Sequence, residues 1–508
     1  MTPTDGAVPM MSHEKIRRRG PRYGPLAVAV LALSLGACES LLEVDLPGQL
    51  IEEELKDARL AETLVTSAVT DFECGLVDYM RYAGQWFEES QNSSQSRPDA
   101  LAGLRSQLTG VYADPCASGT GPIWTVLQVP RQNAQRAVDF IRLMPFTATS
   151  LPDTTFLIAK ARLYEAYSIQ LLAEQFCAIT MSPFDPLLGE YIAGPLVTRE
   201  AAYDTAEVKF TEAITKGLTV TGARATEAAA VVNAARVGRA RARLYQWEYG
   251  GKTAALQADV IVDANAVAAN FQLTATYDDN PARRRNRIRD TQTARSMYPH
   301  RDYSNLRIST VDGTHFVGTT GGIADPRVRV TIASATAVPP DLDGRGIFPM
   351  RRQTKYPARS SPIPFSTWRE AQLMIAEVDP TQSRAKINLL RTTTAGQAAT
   401  ITITNPTWPT AGLPQISLTT WNGMTLAQQQ TTVWEERRRE LYLQGTQAGD
   451  KIRWAYPAWD ANDEYGQSLR NVTQIDDPLT SGPERAGCLP IPFLEKTSNP
   501  FLIAMLAP

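Results

Sequence analysis

The chain has 508 residues, of which 43% are hydrophobic and 20% are charged, and these are ordinary values for a globular protein. Its formal net charge is −2 at pH 7, so the balance of basic and acidic residues argues against nucleic acid as a partner. The length alone allows several domains.

The chain opens with the features of an export signal. Five basic residues within Lys15–Arg22 precede an apolar run that ends in Leu35–Cys38. This order is typical of a secretion signal, and the last four residues resemble the lipobox of bacterial lipoproteins. The run has about half of the ~20 apolar residues that an uncleaved membrane anchor needs, so we disfavour that alternative. The resemblance implies that residues 1–37 are removed, that Cys38 is lipidated, and that residues 38–47 form the lipidated N-terminus and tether.

Removal of the signal takes away five basic and two acidic residues and leaves a formal charge of −5. No later stretch of the sequence is apolar enough to cross a membrane, so we expect the lipid to be the only membrane anchor.

Helices dominate the first half of the predicted mature chain. Leu60, Leu64, Ala68 and Phe72 recur at four-residue steps, which indicates an amphipathic helix, and similar stripes follow it. The predicted helices cover about 58–82, 154–177, 203–218, 228–245 and 254–269. Stacked helix pairs of this kind build tetratricopeptide-like arrays, although the chain has no regular 34-residue repeat.

Two of these helices carry a further signal. Helix 154–177 is apolar almost all round, which predicts a position at the centre of the core. Helix 228–245 places Ala235, Gly238 and Ala242 on one face, which predicts a close approach by a neighbouring helix.

The second half has a different character. From Leu273 to about Pro364, Gly, Pro, Asp and Arg interrupt any period, and short β-like pieces such as Arg327–Ile332 occur. Gly445 is expected to end the last strong helix. The elements predicted here are helices at about 367–378, 382–393 and 426–444, and strands at 399–403 and 415–419.

Several short segments, taken in order, resemble the SusD/RagB family of outer-membrane nutrient-binding lipoproteins. The sharpest is Glu436–Leu441, which is followed by Gly445, Asp450 and Arg453-Trp454. The other segments are Leu41–Pro47, Arg199–Tyr203, Ala324–Val328, Pro362–Glu377, Cys488–Pro492 and Asn499-Pro500. No single segment is specific, but their order spans nearly the whole mature chain. Gln444–Gln447 departs from the family, which has acidic and His-Arg residues around that glycine.

Without the family, Glu436–Glu440 has a plain interpretation as a charged helix face. Pairs three or four residues apart on such a face contribute a few tenths of a kcal/mol each. We therefore interpret the segment as a brace between helices and not as a catalytic site.

The fold class predicted from the residues and the resemblance is mostly α. We expect a tetratricopeptide-like, SusD-like superhelix of helical pairs with long irregular loops and a few short strands. Residues 48–508 are predicted to form a single domain. Its helical-repeat half covers about 48–270, and a loop-rich ligand-side and C-terminal region covers about 271–508.

The resemblance also implies a function. The protein is expected at the outer membrane, lipid-anchored and facing outward, as the lid of a TonB-dependent β-barrel transporter. It would capture an oligosaccharide or a peptide and deliver it to that transporter. Two alternatives stay open: a helical-repeat envelope scaffold that binds no nutrient, and a glycan-cleaving lipoprotein.

Two segments have the composition of a sugar-binding surface, which needs aromatic faces and planar polar groups. The first follows the early helix and contributes Trp86, Gln91 and Asn92, in a loop that in the family commonly contributes to the ligand site. The second segment contributes Tyr277, Asn280, Tyr298, Arg301 and Tyr303. The alternatives are a core position between helices for Trp86 and loop packing for Tyr298 and Tyr303.

The sequence gives little sign of catalysis or of a metal site. It has no HExxH, no GxSxG elbow and no phosphate loop, and after the signal only His300 and His315 remain. The acidic pairs Glu88/Glu89 and Asp278/Asp279 are typical of surface charge. Asp341–Gly344 resembles the opening of a calcium loop but lacks the later glutamate, so we predict a turn. We expect no enzyme activity, no metal and no cofactor.

Four cysteines follow the lipid cysteine, namely Cys74, Cys116, Cys177 and Cys488. An even number in an oxidising compartment suggests two disulfides, and four cysteines allow three pairings. We favour Cys74–Cys116 with Cys177–Cys488, and the alternative is four buried thiols.

Overall fold

The computed structural model describes residues 57–86, 89–92, 123–144, 154–176, 178–185, 188, 190–281, 284–295, 297–334, 336, 339–344, 346–393, 412–455 and 491–506. All of them lie within one compact unit, Leu55–Pro508. The predicted signal peptide, Cys38, the tether and the strand 399–403 lie outside the described residues.

The described residues of the first half form six helices, and each packs against the next of them along the chain. They are α1 Ala61–Trp86, α2 Ile123–Leu143, α3 Thr154–Gln175, α4 Arg199–Gly217, α5 Ala225–Tyr249 and α6 Ala254–Asn265. Side chains of the Thr198 and Thr253 N-caps accept hydrogen bonds at the starts of α4 and α6. The sequential packing matches the predicted helical pairs.

Helix α2 was not predicted, and Pro130 in its interior is the reason. A proline has no N–H and leaves the carbonyl four residues earlier, that of Val126, without its helical donor. That carbonyl oxygen lies against Gly75 of α1, where a Cβ would be only 2.2 Å from it. A glycine on α1 thus makes room for the irregularity that the proline creates in α2.

Helix α3 is central, as its sequence predicts: every residue from Phe156 to Gln175 is buried except Lys160. The ring of Tyr167 contacts Phe72, Phe210 and Phe365 at centroid distances of 5.0 to 6.1 Å. The Tyr167 hydroxyl donates a 3.0 Å hydrogen bond to the carbonyl of Ala234. These contacts tie α1, α4, α5 and a later strand to one aromatic centre.

The small face of α5 allows the predicted close approach. A Cβ built on Gly238 would lie 2.3 Å from the ring of Phe210 on α4. The glycine is therefore a packing requirement of the α4–α5 pair.

The second half contains shorter helices. They are α7 Arg287–Thr293, α8 Trp368–Val378, α9 Ser383–Thr392, α10 Leu418–Gly423, α11 Leu426–Glu440, α12 Gln447–Ala455, α13 Phe493–Ser498 and α14 Pro500–Leu506. In the described part of the chain no helix has both the length and the apolar character needed to cross a membrane.

Two predictions for this half were wrong. The stretch 415–419 is not a strand, because the Ser417 hydroxyl accepts a 3.0 Å hydrogen bond from the Thr420 N–H and starts α10. Helix α11 ends at Glu440 and not near Gln444. Gly445 does adopt a left-handed conformation, with φ of +83°, but it does so in the turn before α12.

The strands are short and pair antiparallel. They are β1 Ser90–Asn92, β2 Ala178–Thr180, β3 Phe184–Asp185, β4 Glu190–Tyr191, β5 Leu196–Thr198, β6 Gln272–Ala275, β7 Met297–Pro299, β8 Leu306–Ile308, β9 His315–Val317, β10 Ile323–Ala324, β11 Val330–Ile332, β12 Arg351–Gln353 and β13 Ile363–Thr367. The pairs are β1 with β7, β2 with β5, β3 with β4, β6 with β13 and β11 with β12, while β8 lies between β9 and β10. The predicted β-like piece Arg327–Ile332 is a strand only in its second half.

Candidate functional site

The two segments that were predicted to bind ligand meet in the structure. Strand β1 pairs with β7, and Gln91 lies opposite Tyr298 in this register. The His300 N–H donates a 3.1 Å hydrogen bond to the carbonyl of Glu89 just before β1. The backbone therefore places the two sequence-distant segments side by side.

The individual residues have different environments. Trp86 ends α1, and Gln91 and Asn92 lie in β1. Asn280 is exposed. Tyr277 is buried, and its hydroxyl donates a 2.9 Å hydrogen bond to the carbonyl of Glu73. Burial raises the pKa of Tyr277 well above its usual range, so its observed role is packing against α1.

Tyr298 and Tyr303 lie one layer below the surface, 5% and 1% exposed. Each ring carries a guanidinium over its face, Arg351 at 4.7 Å from Tyr298 and Arg438 at 4.8 Å from Tyr303. Tyr303 also stacks on Tyr442 at 4.7 Å. These contacts match the packing alternative, in which the tyrosines support the arginines above them.

Those two arginines reach a cavity of about 920 Å³. Its walls are one face of α11 with the residues before it, the segment from Arg301 to β9, and parts of β11, β12 and α12. The described lining residues are Arg301, Asp302, Ser304, Asn305, Thr314, His315, Phe316, Val317, Ile332, Arg351, Met424, Gln428, Thr431, Thr432, Glu435, Arg438, Arg439 and Lys451. Of the sequence-predicted residues, Arg301 lines the cavity directly.

Helix α11 supplies a polar stripe to this cavity. Gln428, Thr432, Glu435 and Arg439 recur at steps of three and four residues, so they share one side of the helix. A capping box fixes the first turn: the Thr425 hydroxyl accepts from the Gln428 N–H at 3.2 Å, and the Gln428 side chain accepts from the Thr425 N–H at 2.8 Å.

The lining combines apolar and polar groups. Phe316, Val317, Ile332 and Met424 provide apolar surface, and hydroxyl and amide groups such as that of Asn305 provide donors and acceptors. This mixture suits a ligand with apolar CH faces and many polar groups.

Glu435 forms ion pairs with two arginines of the cavity wall. Its carboxylate accepts from Arg438 at 2.8 Å and from Arg439 at 2.6 Å. Burial alone would raise the pKa of Glu435, but the two guanidiniums outweigh it and lower the pKa to about 2. Glu435 is therefore ionised at every physiological pH.

Directly behind this wall lies a buried charge network, and it overturns the interpretation of Glu436–Glu440 as a surface face. Glu436 is 0% exposed and accepts from Arg327 at 2.6 Å and from Arg391 at 2.8 Å. Its other close contact is His315 Nε2, at 2.7 Å. Despite burial, the arginines hold the pKa of Glu436 well below its usual range.

The network extends from Glu436 into five helices. Arg369 of α8 donates to Glu440 at 2.9 Å, and Arg437 donates to Asp450 of α12 at 2.7 Å. Further links join Arg437 to Glu370, Arg241 of α5 to Glu370, Arg453 to Glu377, and Arg327 and Arg439 to Asp325. The bracing role inferred from the sequence is thus correct, but the brace is internal.

Other sequence-predicted features have structural roles. Asp343 Oδ1 accepts from the Ile347 N–H at 2.9 Å and Asp341 pairs with Arg352, so this segment is the predicted turn. Within the described ranges, no group of three His, Cys, Asp or Glu side chains could hold a metal ion. Cys74 is disulfide-bonded. The other cysteines lie outside the described residues, so the pairing stays a prediction.

Sequence reasoning missed the α11 side of the cavity. One signal was present, because Glu435–Glu440 puts charges on every side of α11. A helix that is polar all round is not an ordinary surface helix, which has one apolar stripe.

Several solved structures from Bacteroides have a similar fold. A SusD/RagB family protein from Bacteroides thetaiotaomicron has a TM-score of 0.57 at 12% identity, over 88% of this chain and 95% of that chain. A SusD homolog from the same species has a TM-score of 0.55 at 13% identity, over 88% and 97%. A SusD-like protein from Bacteroides fragilis has a TM-score of 0.53 at 14% identity, over 80% and 89%. Neither a family model nor a curated protein sequence matches the chain. The structural similarity confirms the predicted mostly α, SusD-like fold.

Proposed function

We propose that this protein, which has the SusD-like fold, is a nutrient-binding lipoprotein that captures an oligosaccharide in the cavity beside α11. The observation that carries the proposal is the 920 Å³ cavity, whose wall combines the Phe316 ring with hydroxyl, amide and guanidinium groups. An oligosaccharide needs this combination, because its rings have apolar CH faces and its edges carry hydroxyls.

The electrostatics of the wall favour binding over glycan cleavage. A glycosidase needs one carboxyl group with a raised pKa as general acid, paired with a second carboxylate. Glu435 is the opposite case, since Arg438 and Arg439 lower its pKa to about 2. It can neither donate a proton near neutral pH nor leave its two partners without cost.

The delivery step is proposed from the sequence. An export signal that ends at Cys38 would place the chain on a membrane through lipid, and the proposed location is the outward face of the outer membrane. The proposed partner is a TonB-dependent β-barrel transporter, over which the protein would act as a lid. A peptide ligand and an envelope-scaffold role are the competing outcomes.

The first test is a binding experiment on the detergent-solubilised, lipidated protein with a panel of oligosaccharides and peptides. Phe316→Ala should weaken the binding of any oligosaccharide about tenfold or more, because it removes an aromatic face. The matched control is Phe501→Ala, since Phe501 is 48% exposed and does not line the cavity. No saccharide binding at all, or equal binding by both variants, would contradict the proposal. Trp86→Ala tests the first sequence-predicted segment in the same assay.

The second test is gentle extraction of the native membrane, capture of this chain and mass spectrometry of its partners. A stoichiometric β-barrel transporter is the expected result. Recovery of other envelope proteins in its place would favour the scaffold alternative.

A further inference from the structure

His315 belongs both to the cavity wall and to the charge network behind it. It lies in β9, where it pairs with Ile308 of β8. Its ring lines the cavity, although the side chain is almost fully buried. One ring nitrogen, Nε2, lies 2.7 Å from Glu436 Oε2 in the network. The position of the proton on this ring therefore decides what His315 offers to a ligand.

The contacts of Nε2 assign the proton to that nitrogen. Glu436 is buried and ionised, and a carboxylate can only accept a hydrogen bond. An unprotonated Nε2 would place its lone pair against those of Oε2 in a buried environment. Arg391 Nη2 also lies 2.8 Å from Nε2, but it donates to the same Oε2 at 2.8 Å and so has its acceptor there. We therefore assign Nε2 as the donor to Glu436.

This assignment leaves the other ring nitrogen, Nδ1, as an acceptor. Burial lowers the pKa of His315 to about 4, so the ring is neutral at physiological pH. In a neutral imidazole one nitrogen donates and the other accepts. Among the described residues no donor reaches Nδ1, and this atom is not shut off from solvent. Its lone pair is therefore available to a molecule in the cavity.

The network holds this acceptor in place before a ligand arrives. Glu436 accepts hydrogen bonds from Arg327 and Arg391, and both arginines are fully buried. The pairing of β9 with β8 fixes the backbone of His315 in addition. A group whose position is fixed in the free protein loses little conformational entropy on binding. The carboxylate of Glu435 in the same wall already accepts from two arginines, Arg438 and Arg439.

We propose that His315 determines specificity in the cavity, where its Nδ1 accepts a hydrogen bond from a hydroxyl group of the bound oligosaccharide. The inference rests on the proposed function and adds a required donor at one place on the ligand. A hydroxyl can donate to Nδ1, whereas a ring or glycosidic oxygen carries no hydrogen. A saccharide that presents such an oxygen there would leave Nδ1 desolvated and unpaired, and it would bind less tightly.

Two substitutions at His315 separate a ligand contact from a role in the network. In His315→Gln the side-chain amide is as many bonds from Cα as Nε2, so it can still donate to Glu436, but it has no acceptor in the place of Nδ1. In His315→Asn the amide oxygen takes the place of Nδ1, and the contact with Glu436 is lost. Each variant is checked for folding at neutral pH.

The first measurement is calorimetric titration of the detergent-solubilised, lipidated protein at neutral pH with maltohexaose, cellohexaose, xylohexaose and mannohexaose. For a saccharide that binds the wild type, His315→Gln should weaken the affinity about threefold to tenfold, which corresponds to one neutral hydrogen bond. His315→Asn should weaken it less. If His315 acted only by bracing Glu436, the order of the two variants would be reversed.

The second measurement reads the ring nitrogens of the wild type by solid-state NMR with isotopically labelled histidine. After the predicted signal, His300 and His315 are the only histidines, and His315→Gln identifies the signals of His315 by their loss. In the free protein we expect Nε2 of His315 to be protonated and Nδ1 to be unprotonated. The bound saccharide should shift the Nδ1 signal upfield, towards that of a protonated nitrogen. His300 does not line the cavity and serves as the internal reference.

The outcomes distinguish this inference from the proposed function. A proton on Nδ1 in the free protein, or no shift of Nδ1 when a saccharide binds, would overturn the inference and leave the proposed function intact. Unchanged affinity in His315→Gln, or a larger loss in His315→Asn, would do the same. Binding by no saccharide would overturn both.

Discussion

The interior of the helical half and the charge network behind the cavity are both buried, but they consist of different kinds of side chain. Around α3 aromatic and aliphatic side chains predominate, with rings such as Phe72 and Tyr167 in mutual contact, and buried charges such as Glu165 and Glu174 are a minority. Behind α11 the network consists of guanidiniums and carboxylates, for example Arg327 and Glu436.

The two interiors should differ in how well they tolerate substitutions. An apolar core accepts a substitution when the volume is roughly kept. A buried ion pair does not, because removal of one partner leaves the other charged and desolvated. Such a network adds little net stability, but it fixes the relative positions of the helices that meet in it. We infer that it holds α11, and with it one wall of the cavity, in a defined position.

The substitution Glu436→Gln should have the largest effect, because it breaks the network at its centre. It leaves Arg327 and Arg391 without their shared carboxylate in a fully buried place. We expect a loss of about 3–5 kcal/mol in the free energy of unfolding, measured with guanidinium chloride. Glu227→Gln, in an exposed pair with Arg224, is the control and should cost less than about 1 kcal/mol. A similar small loss for both would mean that the buried charges are not coupled.

The second prediction concerns the pH dependence of stability that His315 contributes. The pKa of His315 is lowered to about 4 because burial disfavours the imidazolium and nearby Arg439 and Arg391 repel it, against the pull of Glu436. In the unfolded chain the pKa is near 6.5. The unfolded state thus binds the proton more readily, so this contribution to stability is complete above pH 6.5 and is lost as the pH falls towards 4.

The measurement is the difference in unfolding free energy between wild type and His315→Gln from pH 7 to pH 4. That difference should shift by up to about 3 kcal/mol across the range, against the wild type at low pH. Glu89 and Glu174, whose pKa values burial raises to about 7, act in the opposite direction in both proteins and cancel. A pH-independent difference would show that His315 is not protonated on unfolding.

The third prediction tests the helical half, at the close contact between the backbones of α1 and α2. In an ordinary helix interior, Gly→Ala stabilises by about 1 kcal/mol. For Gly75→Ala the sign should reverse, with a loss of about 1–3 kcal/mol, because the methyl group would lie 2.2 Å from the Val126 carbonyl oxygen. Gly423→Ala, with no atom within 4 Å of the new methyl group, is the matched control. Stabilisation by Gly75→Ala would show that α1 and α2 are free to separate.

Much of the helical half could be predicted, because local periodicity reports burial directly. The helix predicted at about 203–218 agrees with the end of α4 at Gly217, and the small face of α5 predicted the close contact at Gly238. Helix α2 could not be predicted, since Pro130 is a helix breaker unless a glycine on another helix accommodates the freed carbonyl. That compensation is tertiary, and no local pattern contains it.

The site illustrates the same limit. Arg301 was chosen from its irregular segment and does line the cavity. Tyr298 and Tyr303 were candidates for ligand contact, with loop packing as the alternative, and in the structure they lie beneath arginines that come from β12 and α11. In the local sequence Glu436 resembles a surface residue. Its buried partners Arg327 and Arg391 are 109 and 45 positions away, so the local sequence does not reveal them. Long-range charge pairing leaves no periodic trace in a sequence.

The smallest effect should come from the first turn of α11, where the helix is anchored by a cap and not by buried charge. Thr425→Ala removes the hydroxyl that accepts the Gln428 N–H and should cost about 1 kcal/mol, whereas Thr425→Ser should cost only a few tenths. Hydrogen exchange should show faster opening at the Gln428 and Gln429 amides, while the amides near Glu436 keep their protection. If Thr425→Ala were as damaging as Glu436→Gln, α11 would be held by its first turn, and the network would not be what positions the cavity wall.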